Sequence, residues 1–183
     1  MERKIAPEKG PECLGRWCPS SLEKINHPGF VIRGGIILYV PSTTGKEGKI
    51  LLGMKIKNKK YTDFGGGCKT KKGETPFECA KREFLEETLG VVANDLKNIT
   101  HILITGTKQP HQVVLMVKVD SLSLQSVEKD YASAFQKARN PELSGIKVVS
   151  LEDFMALTKY QMAESIYVLR SDVERIVRGE KLR

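Results

Sequence analysis

Residues 65–90 read Gly65-Gly66-Gly67-Cys68-Lys69-Thr70-Lys71-Lys72-Gly73-Glu74-Thr75-Pro76-Phe77-Glu78-Cys79-Ala80-Lys81-Arg82-Glu83-Phe84-Leu85-Glu86-Glu87-Thr88-Leu89-Gly90, a glycine-rich loop running into an acidic stretch. The second half carries a helix start signal. Thr75 suits an N-cap, Pro76 falls at N1 and Glu78 completes a capping box, which predicts a helix over 75–88. Phe77, Ala80, Phe84 and Leu85 supply its apolar stripe, and Gly90 stands where such a helix stops. Glu83, Glu86 and Glu87 are three and four residues apart, so they point to one side. Like charges at that spacing cost a helix about 0.2–0.5 kcal/mol per pair. Arg82 offsets part of this through Glu78 or Glu86, each four residues away.

Upstream, Phe30-Val31-Ile32-Arg33-Gly34-Gly35-Ile36-Ile37-Leu38-Tyr39-Val40 is β-branched and apolar, which predicts a buried strand. A turn over 41–48 and an apolar run over 49–57 complete a hairpin. Downstream, 99–105, 111–119 and 146–150 read as strands, and 126–139, 151–158 and 160–178 as helices. The elements lack a regular βαβ rhythm. The fold class is therefore mixed α/β, of α+β type, with a mixed sheet. Residues 1–28, broken by Pro7, Pro11, Pro19 and Pro28, read as an irregular extension. The main domain is placed at 29–158, with a C-terminal helix over 159–183 packed on it. Met162, Ile166, Leu169, Val173 and Ile176 form the stripe that docks it, two heptads being too short for a coiled coil.

A chain of 183 residues is one ordinary domain with a core of its own. No apolar run reaches the ~18–20 residues of a membrane span, and the N-terminus lacks the apolar core of a secretory signal. The four cysteines form no CxxC pair, so they are expected as free thiols in a reducing, cytoplasmic setting. The net charge is +8, but unevenly spread. Residues 1–72 hold 15 Lys and Arg against 6 Asp and Glu, whereas 73–95 hold 2 against 6. Basic surroundings favour polyanionic ligands, phosphates or RNA among them. The acidic island is either a solvated helix face or the seat of a neutralising cation. Mg²⁺ prefers oxygen ligands and is commonly held by one or two carboxylates together with substrate phosphates. Glycines permit positive φ and close backbone approach to such a ligand.

Residues 67–91 resemble the Nudix box of the Nudix hydrolases. That motif runs Gly, five residues, Glu, seven residues, Arg-Glu, an apolar residue, any residue, Glu-Glu, any residue, Gly, apolar. Seven residues separate Glu74 from Arg82, and Arg82-Glu83-Phe84-Leu85-Glu86-Glu87 fits position by position. Two one-residue insertions depart from the pattern: six residues lie between Gly67 and Glu74, and Thr88-Leu89 precede Gly90. Both fall at motif ends, where a loop absorbs them. The resemblance implies an α/β/α sandwich around a mixed sheet. It also implies a Mg²⁺- or Mn²⁺-dependent pyrophosphohydrolase that cleaves a phosphoanhydride in a nucleoside diphosphate linked to another group. Glu83, Glu86 and Glu87 would hold the metal, with a backbone group of Gly67, and Glu83 or Glu142 would act as base. Glu142, in Asn140-Pro141-Glu142-Leu143-Ser144, matches a loop carboxylate that many members carry.

Substrate contacts are expected from Arg33, Lys55, Gly66 and Lys69, while Glu74 and Arg82 organise the box. Arg33 either turns out to solvent or meets a phosphate. Lys57, Lys59 and Lys60 are either solvated or a phosphate-facing rim. Trp17 and Tyr61 pack or stack a base, and His101 and His111 are structural or a base. The basic charge points to a long anion, such as capped RNA, a dinucleoside polyphosphate or a diphosphoinositol polyphosphate, with small nucleotides also open. The other functional class is a Nudix fold that binds nucleotide or RNA without turnover. Monomer and homodimer are both compatible with the sequence.

Overall fold

The computed structural model describes residues 10–92 and 96–181. In chain order the elements are β1 (Glu12–Leu14), α1 (Leu22–Ile25), β2 (Arg33–Val40), β3 (Lys49–Lys55), β4 (Tyr61–Thr62), β5 (Phe64–Gly67), α2 (Pro76–Glu87), β6 (Ile99–Gly106), β7 (Pro110–Lys118), α3 (Val127–Phe135), β8 (Leu143–Ser150), α4 (Leu151–Ala156), α5 (Glu164–Tyr167) and α6 (Arg170–Arg178). The strands form one sheet in the order β1-β6-β7-β2-β3-β4, with β5 added on β2 and β8 on β3. The β1–β6 and β2–β7 pairs are parallel and the rest antiparallel, so the sheet is mixed, as expected.

Both faces of this sheet are covered, which explains why its strands read as continuous apolar runs rather than as alternating ones. Successive residues divide between two apolar clusters, because strand side chains alternate in direction. Ile36, Leu38, Val113 and Leu115 join Ala80 and Phe84 of α2 and Tyr131 of α3 on one face. Ile37, Tyr39, Val114 and Met116 join Phe154, Ile166, Val173 and Val177 on the other. This is a helix–sheet–helix sandwich.

Several sequence expectations change in detail. Within the stretch expected to be irregular, residues 12–14 form β1 and 22–25 form α1, with Ser21 capping the latter. The expected irregularity of residues 1–9 lies outside the described residues. The helix over 160–178 is instead two, α5 and α6, separated by Val168 and Leu169. Its stripe still docks on the same chain, since Met162, Ile166, Leu169, Val173 and Ile176 are all buried against the sheet. Leu85 is exposed and leaves the α2 stripe, while Cys79 is buried in it.

The cysteines are not free thiols. Cys13 bonds Cys18, Cys68 bonds Cys79, and among the described residues none is left unpaired. Neither pair has CxxC spacing: Cys13–Cys18 closes a six-residue loop, and Cys68–Cys79 is created by tertiary packing. Docking of α2 brings the Cys68 and Cys79 Cα atoms to 5.2 Å. The free-thiol ground for a cytoplasmic location therefore falls. Among the described residues no helix is long and apolar enough to cross a membrane.

Phe84 anchors α2 to the sheet. It is fully buried and meets Phe64 of β5 edge-to-face, ring centroids 5.5 Å apart. Phe84→Ala is expected to cost about 3–5 kcal/mol of stability, read from urea unfolding. A loss under about 1 kcal/mol would contradict this docking.

Candidate active site

The helix start is as its sequence dictates. The Thr75 hydroxyl accepts from the Glu78 N–H, the Glu78 carboxylate accepts from the Thr75 N–H, and Pro76 occupies the first helical position. This commits Glu78 to the cap, so Arg82 turns to other carboxylates. Its Nε and Nη2 donate to the two Glu74 oxygens at 2.7 and 3.0 Å. Its Nη1 reaches Glu83 at 3.0 Å and Glu86 at 3.1 Å, and Nη2 reaches the Gly67 carbonyl at 2.9 Å. A guanidinium has five N–H donors, and all five are used. Hydrogen bonds from Arg82 hold Glu74 below the usual carboxylate range, and those from Glu74 raise Arg82 in turn. Glu74 also accepts from the Lys69 N–H at 2.9 Å.

The box's two insertions are taken up locally. Between Gly67 and Glu74 the chain makes a 3-10 turn over Thr70–Lys72, closed by Gly73 in the left-handed region. After α2, Leu89 and Gly90 both adopt positive φ, at 54° and 70°. Gly65, Gly66 and Gly67 belong to β5 and have no positive φ, and close approach is the contribution of Gly65 and Gly66. A Cβ on Gly66 would lie 2.6 Å from the Glu83 carboxylate. Gly67 has open space there, and its carbonyl is bonded to Arg82.

Burial raises Glu83, against which Arg82 works, with Glu86 and Glu142 adding to the rise. Glu86 is exposed. Glu87 is buried and pushed up to about 8, first by burial, then by Asp63 and Glu142, with a Gly65 N–H opposing. Its Oε1 has no hydrogen-bond partner. Glu142 is exposed just before β8, and both glutamates feel its charge. The oxygens of Glu83, Glu86 and Glu87 do not converge within 4.8 Å. Among the described residues Cys68, Glu74 and Cys79 do, but those sulfurs are joined to each other.

Arg33 lies at the start of β2, opposite Gly67 of β5. Its two Nη atoms grip fully buried Asp63 at 2.9 Å each, and Nη1 also reaches Gln112 at 3.0 Å. The Ser165 hydroxyl donates to Asp63 at 2.8 Å, and Gln112 donates to the Ser165 carbonyl. Burial works to lower Arg33, but Asp63, then Glu87 and Glu83, raise it above its usual value. Arg33 thus does not turn freely to solvent. Together with Lys55 it lines a cavity of about 1060 Å³ that also takes in Trp17 and His111.

Lys69 is exposed, and Lys57 and Lys59 stand exposed beyond β3, outside this cavity. His101 is half-buried against Thr100, and burial lowers its pKa. Tyr61 packs on the second apolar cluster. Sequence reasoning missed Asp63, Gln112 and Ser165. The available signal was polar side chains set in apolar runs, at Asp63 before Phe64 and at Gln112 before Val113.

Comparison with known proteins agrees with this architecture. The family model for the NUDIX domain matches residues 36–169. No curated protein matches in sequence. Among solved structures, a mutT/nudix family protein from Listeria innocua is 17% identical, covering 79% of this chain and 92% of its own, with TM-score 0.50. A C. elegans Ap4A hydrolase is 17% identical over 80% and 96%, with TM-score 0.49. A NUDIX-family hydrolase from Clostridium perfringens is 18% identical over 82% and 99%, with TM-score 0.45. The matched residues run from β2 through the glutamate helix to the helices on the far face of the sheet, and the chain belongs to the Nudix hydrolase family.

Proposed function

We propose that this chain hydrolyses a phosphoanhydride in a nucleoside diphosphate linked to another group, by attack of water on phosphorus, with Mg²⁺ or Mn²⁺. The observation that carries this reading is Glu87. A buried carboxyl oxygen without a partner, beside Asp63, Glu83 and Glu142, holds its proton because the ionised form has too little to compensate it there. Hard divalent cations take such oxygen donors, so the residues fit the group. Glu83, Glu86 and Glu87 would hold it. When bound, it supplies positive charge against phosphate oxygens and acidifies a water.

The rest falls to the chain's own side chains. Arg82 fixes the direction of Glu83 and Glu86 and ties them to the glycine strand. Arg33, held rigid by Asp63 and Gln112, presents its remaining N–H groups to a phosphate. Glu83 or Glu142 takes the proton of the attacking water, a role that typically contributes about 10²–10⁴-fold.

Two outcomes test this. In the unfolded chain Glu87 titrates near 4.5, and in the folded one near 8. Between these values the folded protein keeps a proton that the unfolded chain has lost, so stability falls as pH rises. The contribution is fully present below about 4.5 and is lost as the pH passes 8. In EDTA the melting temperature is expected to drop by at least about 3 °C more between pH 5.5 and 8 in wild type than in Glu87→Gln. Millimolar Mg²⁺ should recover wild type at pH 8 and not the variant. Parallel pH curves, with no effect of Mg²⁺, would contradict the cation site.

For the chemistry, product release is measured from a panel of nucleoside polyphosphates, sugar nucleotides and diphosphoinositol polyphosphates with Mg²⁺ or Mn²⁺. Glu87→Gln is expected to lower kcat by at least about 10²-fold while the metal-free protein becomes no less stable. Binding without any product would instead identify a non-catalytic module.

A further inference from the structure

We propose that the loop closed by Cys13–Cys18 is a base-stacking subsite, in which Arg16 and Trp17 take the neutral nucleobase of a nucleoside polyphosphate whose phosphates lie along Arg33. This rests on the phosphoanhydride reading above and names the substrate's other end.

The cavity beside Arg33 holds about 1060 Å³, ample for a nucleotide. Four fixed cations line it, Arg16, Arg33, Lys55 and Lys108, against one carboxylate, Glu164. That balance selects an anion. Its aromatic wall is Trp17, the chain's single tryptophan, half-buried against the first apolar cluster. The Arg16 guanidinium lies over the indole, 4.6 Å from the ring centroid. A bond from Nη2 to the Thr107 carbonyl, on the turn between β6 and β7, fixes it there. The disulfide closes the six-residue loop that carries the pair, and β1 ties the loop to β6 in parallel register. Arg16 is exposed and both residues line the cavity, so on this proposal the side of the guanidinium away from the indole is the one that takes the base.

A flat, cationic platform stacks planar heteroaromatic rings. An inositol polyphosphate has no such ring and gains nothing from it. A purine alkylated at N7 is itself positive and meets like charge, so an unmodified base is preferred over an N7-methylated one.

The experiment is calorimetric titration of the full chain, in EDTA, with GTP, 7-methyl-GTP and inorganic tripolyphosphate. Wild type is expected to bind GTP about tenfold more tightly than tripolyphosphate. It should bind 7-methyl-GTP at least about threefold more weakly than GTP. Arg16→Ala uncovers Trp17, whose bare π face attracts a cationic ring, and should cancel or reverse that preference. Equal affinity of wild type for GTP and tripolyphosphate would overturn the subsite, as would an unchanged preference in Arg16→Ala. The wild-type ligand series needs no variant. Hydrolysis with Mg²⁺ is scored separately: turnover without base preference sinks the subsite alone, and base preference without turnover sinks the enzymatic reading alone.

Discussion

Every N–H of Arg82 is engaged, and the site is built around that constraint. The glutamates of α2 repel one another, and a helix that presents them needs a cation within its own turn. Arg82 supplies it to Glu83 and Glu86 while gripping Glu74 and the Gly67 carbonyl. One side chain thereby joins the helix, the loop before it and the end of β5. A lysine would carry the charge but not the fork, so it could not hold four partners in fixed directions. The Cys68–Cys79 bond joins the same segments covalently. What Arg82 does not reach is Glu87, which is why that carboxylate keeps an oxygen without a partner.

Two glycine runs make the close contacts possible. Gly34 and Gly35 of β2 lie opposite Gly66 and Gly65 of β5 in antiparallel register. A Cβ on Gly34 would press on Cys79 and the start of α2 at 3.0 Å, and one on Gly35 would meet Asp63 at 2.0 Å. Bare backbone on both strands lets the helix settle from one side and the Arg33–Asp63 pair form from the other. Breaking one partner of such a buried pair typically costs about 3–5 kcal/mol, because it strands the other charge.

Local signals made much of this legible. The capping box at Thr75, the spacing of Glu83, Glu86 and Glu87, and the apolar runs of β2, β3, β6 and β7 depend on residues close in sequence. What could not be read depends on residues far apart. Arg33 meets Gln112 across 79 positions, and Ser165 meets Asp63 across 102. The Cys68–Cys79 bond follows from the docking of α2 rather than from spacing. The break between α5 and α6 has no glycine or proline to announce it, and the apolar stripe continues straight through.

The charge asymmetry of the sequence takes a definite form in space. The acidic island is offset only in part from within, by Arg82, and its inner edge faces Arg33, which belongs to the basic half of the chain. Beyond Arg33 the cavity is cationic; before it stand Asp63, Glu83 and Glu87. On the reading proposed above, the cationic wall would draw in a polyphosphate, and Glu83, Glu86 and Glu87 would hold the divalent cation that offsets their repulsion of it. Arg33 marks the boundary between the two charges. Its four-residue hydrogen-bonded frame with Asp63, Gln112 and Ser165 keeps that boundary from shifting when the anion arrives.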